Sequence, residues 1–297
     1  MYEQINDNIR KTYLYIFLAF CLILGLGWFF SWFYNDTVIL IWVAIFAIVY
    51  NLIAYFVSDQ VVLVTNGAKE IDKEQAPELF RVVENLSIRT GMPMPRIYVI
   101  DESMPNAFAC GRDPKHASLA VTVGLLKIMD KDELEGVIAH EMSHVKNYDI
   151  RLQTVVAVLV GLIVILANFM ARFAFFSRDE NSQGGIIGLI GLLIIVILAP
   201  IIGQLIQLAI SRKRELLADA SGVELTRYPN GLISALEKID HYEKGMKSPS
   251  YATAHLYFAS PMHSDASDEK NVGFIVRLFM THPPISERIA ALKKMKF

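Results

Sequence analysis

Four stretches of this chain run about 20 residues or more with almost no charge, and nothing else in it constrains the fold as strongly. They are Thr12–Phe33, Thr37–Val57, Leu152–Ala171 and Ile186–Ile210. Each is long enough to cross a hydrocarbon core as a helix, whereas a buried core helix rarely runs so far without an ionisable residue. The stretches account for the apolar excess in a chain that is 54% hydrophobic, and a net charge of −2 gives no sign of a nucleic-acid surface. Cys21 and Cys110 are too few for a disulfide framework or a cysteine-held zinc.

The N-terminus reads as a span and not a cleavable signal, because a second apolar stretch follows within a few residues. Trp28, Trp32, Tyr34 and Trp42 gather around the Asn35–Asp36 turn, as an interfacial belt does. Arg10 and Lys11 precede the first span, Arg151 the third, and Arg212, Lys213 and Arg214 follow the fourth. This bias places both termini and everything outside the spans in the cytoplasm of a multi-pass membrane protein, with the lipid bilayer as a partner. The chain divides into an N-terminal membrane hairpin (1–58), a first polar block (59–150), a second hairpin (151–211) and a second polar block (212–297). The polar blocks together have the size of one domain.

In the first block, Gln60–Thr65 reads as a short β-rich run. Pro77–Thr90 is a helix, with Pro at its start and Gly91 past its end. Arg96–Ile100 is a strand, and Ala107–Cys110 and Leu119–Val123 flank a Gly111-Arg112-Asp113-Pro114 turn. Asp130 and Glu133 form a capping box for a helix that carries His140-Glu141-Met142-Ser143-His144. The fold class expected is α+β, zincin-like, with four transmembrane helices in two hairpins, mostly α.

His140 and His144, four apart on a helix, project from one face and can hold one cation, with Glu141 beside them to reach a metal-bound water. A catalytic zinc wants a third protein ligand. Glu215 and Asp219 offer one four-residue step after the fourth span: Glu215 as ligand, Asp219 fixing the tautomer of a ligating histidine. On spacing alone a solvated, charged helix end fits equally well. The second hairpin favours the ligand, because His144 and Glu215 emerge from it just above the same leaflet. Gln204, Gln207, Ser211 and Glu215 share one helical face beyond Pro200, either a polar path to the metal or interhelical glue.

At these residues the chain resembles the HtpX-type membrane zinc endopeptidases, relatives of the CAAX prenyl endopeptidases. The resemblance rests on His140–His144 with Asn147 and Asp149, and on Arg214-Glu215-Leu216-Leu217-Ala218-Asp219. Pro105–Ala109, Val121–Leu126, and His282-Pro283-Pro284 with Glu287-Arg288-Ile289 extend it over the whole chain. Cys110 departs from it, at a strand position that is not a ligand.

The resemblance implies one zinc per chain on His140, His144 and Glu215, with Glu141 moving the proton. It points to His282 as an oxyanion helper, against a plain role in capping the last helix. It also makes Asn106, Ala107, Phe108 and Ala109 the strand, or its neighbour, to which a protein or peptide substrate adds. Asn147, one turn beyond His144, is a second supporting residue or a packing one. His116 and His241 carry no role, and His255 and His263 read as solvated or lid residues. The activity implied is hydrolysis of peptide bonds in misfolded or damaged membrane proteins. The alternatives are a prenyl-protein endopeptidase, disfavoured by only four spans, and a non-hydrolytic metal-binding transporter or scaffold, disfavoured by spans without buried charge.

Overall fold

The structure, a computed structural model, describes residues 2–176, 212–242, 246, 253–259 and 283–295. Helices α1 (Tyr2–Tyr34) and α2 (Thr37–Phe56) form the first hairpin. Asn35 turns it at a positive φ of 50°, and the Asp36 carboxylate caps α2 by accepting the Val38 N–H at 2.9 Å. Both helices are long and apolar enough to cross a membrane. The four aromatic residues at the turn are all exposed, as expected of side chains meant for an interface.

Directly after α2 comes α3 (Ser58–Thr65), where the sequence suggested a β-rich run. Ser58, Val62 and Leu63 lie on one buried face, so tertiary packing overrides the β preference of the valines. The chain then enters a four-stranded mixed sheet made of β1 (Lys69–Glu70), β2 (Arg96–Ile100), β3 (Ala107–Gly111) and β4 (Ala117–Thr122). The strand order is β1-β2-β4-β3, with β2 parallel to β4 and the other pairs antiparallel. β3 is therefore an edge strand.

Alternation along the strands gives the sheet two apolar faces. Ile97, Ala107, Ala109, Leu119 and Val121 pack with α4 (Pro77–Thr90) and α6 (Lys131–Lys146). Tyr98, Ile100, Phe108, Cys110 and Ala120 pack with α3 and with the first turns of α7 (Asp149–Phe176). The short α5 (Val123–Ile128) leads to α6, whose capping box of Asp130 and Glu133 is fully formed.

α7 carries the third apolar stretch and meets α6 at an 84° bend. Its first three turns are buried against α1, α3 and β3, so this part faces protein rather than lipid. A helix that is hydrophobic all round is what an inner position requires. Among the described residues two helices can cross a membrane, or three if the bent pair counts as one span. The fourth expected span, the Gln204–Gln207 stripe and Ser211 lie outside the described residues. Beyond them, α8 (Arg212–Thr226), α9 (Pro229–Asp240) and α10 (Ile285–Lys293) close over α6.

Candidate metal centre

The site exists because α6 and α8 touch backbone to backbone. A Cβ on Gly222 would stand 3.0 Å from the His140 nitrogen and 3.2 Å from the Ala139 carbonyl carbon, so any side chain there would push the two backbones apart by a few tenths of an ångström. Three and seven residues earlier, Asp219 and Glu215 share that face of α8. His140, Glu141, His144, Glu215 and Asp219 are all buried.

The three expected ligand atoms converge. His140 Nε2 and His144 Nε2 are 3.1 Å apart, and the Glu215 carboxylate lies 3.7 Å from the first and 3.5 Å from the second. Ligands bound tetrahedrally at about 2.1 Å from an ion stand about 3.4 Å from one another. The other ring nitrogens are already committed: His140 Nδ1 lies 2.8 Å from Asp219 Oδ1, and His144 Nδ1 lies 3.0 Å from Asp149 Oδ2. If each Nδ1–H donates to its carboxylate, both Nε2 atoms are lone-pair acceptors. Two acceptors and a carboxylate aimed at one point need a positive charge among them, and where a proton can bridge only some of these atoms, a divalent cation satisfies all three. The donor set fits zinc, although nitrogen and oxygen ligands alone do not distinguish it from other first-row metals.

The field of the site agrees. Burial pulls the proton affinity of His144 down, yet the carboxylates of Glu215 and Asp149 overcome it and raise the pKa to about 9. A pocket that holds a proton so tightly favours any cation. Behind the ligands sits a second charged layer. The buried Arg288 guanidinium from α10 donates to both Asp219 oxygens, at 2.9 and 2.6 Å, and stacks over Phe258. Burial pushes the Asp219 carboxyl up, but Arg288 more than compensates and holds its pKa at about 2. Asp219 is thereby kept as the anion that His140 needs.

Glu141 points the other way, toward the sheet edge. Its Oε2 accepts the Ala109 N–H at 2.9 Å, and burial pushes its carboxyl above the ordinary range. A general base benefits from that direction of shift. On the same edge, Gly111 N–H donates to Thr154 Oγ1, and the Ala107 carbonyl accepts the Phe258 N–H at 2.8 Å. The side-chain amide of Asn106 pairs with both the N–H and the C=O of Ala259. The strand expected to receive substrate thus carries a segment of the chain itself. Phe108 turns to the far face of the sheet, against Tyr257, and cannot offer its side chain to the site.

Asn147 is the C-cap of α6, the packing position of its two readings, and the carboxylate contact at His144 is made by Asp149. His255 is fully buried with Nε2 3.1 Å from the Gln153 carbonyl, so it is not solvated. His116 and His241 lie far from the metal cluster in contacts of their own, with Asp113 and the Glu237 carbonyl. His282 and His263 lie outside the described residues. One contributor has no signal in any motif: Asn8 of α1, which donates to Asp149 Oδ1 and accepts from Arg214. The first hairpin therefore reaches the ligands through Asp149. A buried amide ahead of a span is the one feature that hints at it.

Comparison with known proteins gives a consistent set of neighbours. The profile of peptidase family M48 matches residues 73–296. A "Protease HtpX homolog" of Caldanaerobacter subterraneus subsp. tengcongensis is 46% identical over 99% of this chain and 98% of its own length. Another, of Streptococcus gordonii, is 40% identical over 99% and 100%. Among solved structures, S. mikatae Ste24p is similar in fold, with a TM-score of 0.50 at 21% identity, covering 98% of this chain and 67% of that one.

Proposed function

Because the chain belongs to peptidase family M48 and is a membrane metalloprotease, we propose that it is a zinc-dependent endopeptidase acting on misfolded or damaged membrane proteins. The observation that carries the chemistry is the convergence of His140, His144 and Glu215 on one point, with Glu141 between that point and the edge of β3. When bound, one zinc on these three side chains would supply a Lewis acid that lowers the pKa of water and polarises a scissile carbonyl. Glu141 takes the proton of the attacking water and passes it to the leaving amine. Asp219 and Asp149 hold the two imidazoles in the tautomer that leaves each Nε2 a ligand, and Arg288 keeps Asp219 charged.

A substrate peptide adds to β3 where Phe258 and Ala259 now pair, with Asn106 reading its peptide group and Ala107 and Ala109 its backbone. Oxyanion stabilisation by His282 belongs to the same reading, supported by resemblance alone. Four spans, with the active site and both termini cytoplasmic, complete it; the Arg and Lys residues that flank the spans support that orientation.

The test is Glu141→Gln in the full-length protein, assayed on casein or an unfolded membrane protein with metal content measured in parallel. The variant keeps wild-type zinc and loses cleavage by at least about 100-fold. Cleavage at the wild-type rate with zinc bound would exclude the mechanism.

A further inference from the structure

A second site lies where the hairpin meets the catalytic domain, away from the metal cluster. At the domain end of the hairpin, α1 and α2 border an open, largely apolar groove of about 470 Å³, lined by Phe17, Phe20, Ile48, Leu52, Tyr55 and Phe56, among others. Tyr13 and Tyr55 close its upper end, hydroxyl to hydroxyl at 3.5 Å. Immediately beyond it is a polar pocket of about 290 Å³, lined by Arg96, Arg112, Lys115 and His116, with Asp59, Gln60 and Met94. Phe56, the last residue of α2, lines both cavities. The Arg112 guanidinium lies 5.4 Å above its ring, at the junction.

The pocket keeps a positive surplus. Arg96 pairs with Asp59 at 2.8 Å, while Arg112 at 3.6 Å and His116 at 2.8 Å share Asp113. Lys115 is exposed and has no carboxylate within ion-pair distance among the described residues. Three permanent cations thus face two carboxylates, with an imidazole to spare. Because α2 is a membrane span ending at Phe56, the pocket opens at the level where lipid headgroups sit. Guanidinium and ammonium groups are suited to phosphate, the first by its fork of donors and the second as a point charge.

An apolar trough inside the bilayer that continues into a basic pocket at its surface has the shape and polarity of one lipid molecule. We propose that this composite cavity binds an anionic phospholipid, with acyl chain along α1 and α2 and phosphate on Arg112 and Lys115. The headgroup contact lies at the tip of the β3–β4 hairpin, so an occupied site fixes the catalytic domain against the leaflet.

The experiment measures binding of a fluorescent phosphatidylglycerol to the full-length protein in a non-ionic detergent, with unlabelled phosphatidylglycerol, phosphatidylcholine or inorganic phosphate as competitor. Each basic residue near an anionic surface is worth about fivefold in affinity, so Arg112→Ala with Lys115→Ala weakens binding about 30-fold. Arg112→Lys with Lys115→Arg restores most of it, which separates charge from misfolding. Leu52→Trp, which fills the groove, also weakens binding, whereas Lys293→Ala on distant α10 does not. Phosphatidylcholine and millimolar phosphate compete poorly. Equal affinity in the wild type and the alanine double variant would overturn the proposal. So would full displacement by free phosphate, which would mark a soluble-anion site, or unchanged binding in Leu52→Trp.

Discussion

The helix pairs α1/α2 and α6/α8 are both pressed together at a glycine, yet they are built with opposite surfaces and interiors. In the first pair Gly27 lets Val43 close in, and the outward faces carry Phe17, Trp32, Ile45 and other exposed apolar side chains. In the second pair Gly222 meets His140, and the space between the helices holds two imidazoles and two carboxylates, almost wholly out of water. Each would be a fault in an ordinary domain, because exposed apolar surface and buried charge are both costly in water. The difference is the one that two unusual solvents would require, lipid around the first pair and, as proposed, a metal ion inside the second. It also shows how they join: two buried polar residues of α1, Asn8 and Thr12, sit at its catalytic end, and Asn8 bonds Asp149 behind His144.

The sharpest way to break the comparison is to remove the counter-charge of the buried pair. Arg288→Met strands the Asp219 carboxylate and costs about 3–5 kcal/mol of stability, read by chemical denaturation in detergent. Adding Asp219→Asn recovers part of the loss, because no uncompensated charge is then left. A single variant as stable as the wild type would mean that this layer is not a charged one. A somewhat smaller effect tests the other pair. Ile45→Arg, an exposed mid-span position, costs about 2.5–3.5 kcal/mol of insertion free energy and lowers the membrane-integrated fraction. An unchanged fraction would show that α2 does not face lipid.

The smallest effect is in pH. The folded pKa of Asp219, about 2, lies below the value near 3.9 of an unfolded aspartate. Its stabilisation is therefore complete above about pH 4 and is lost as pH falls from 4 to 2, amounting to about 2 kcal/mol. The stability gap between wild type and Asp219→Asn should close over that window. A gap independent of pH between 4 and 2 would contradict the assignment.

What was legible in the sequence had local causes. Asp130 and Glu133 announce α6 through a capping box, the spacing of His140 and His144 follows from the helical repeat, and Pro77 with Gly91 brackets α4. Glu215 is reachable because the two apolar stretches between His144 and it limit where it can emerge. Asp149 and Arg288 stood in the family motifs, but their contacts cross the fold, and no periodicity places them against His144 and Asp219. Asn8 had no motif at all. α3 departs from its local sequence for a related reason: Val61, Val62 and Val64 favour strand locally, and only burial of Val62 and Leu63 against the sheet decides for helix. Residues 253–259 carry little pattern, so their seat on the edge of β3 emerges only in three dimensions.

Three side chains from two helices make the proposed site for one cation. Calorimetric titration of the metal-stripped, full-length protein with zinc, with Glu215→Ala run alongside, is the decisive measurement. One zinc should bind per chain, with release of protons at neutral pH because His144 must give up its own. Affinity should be at least about 100-fold weaker in the variant, which loses one of three protein ligands. Equal affinity in the two proteins, or no saturable binding in the wild type, would contradict the proposed site.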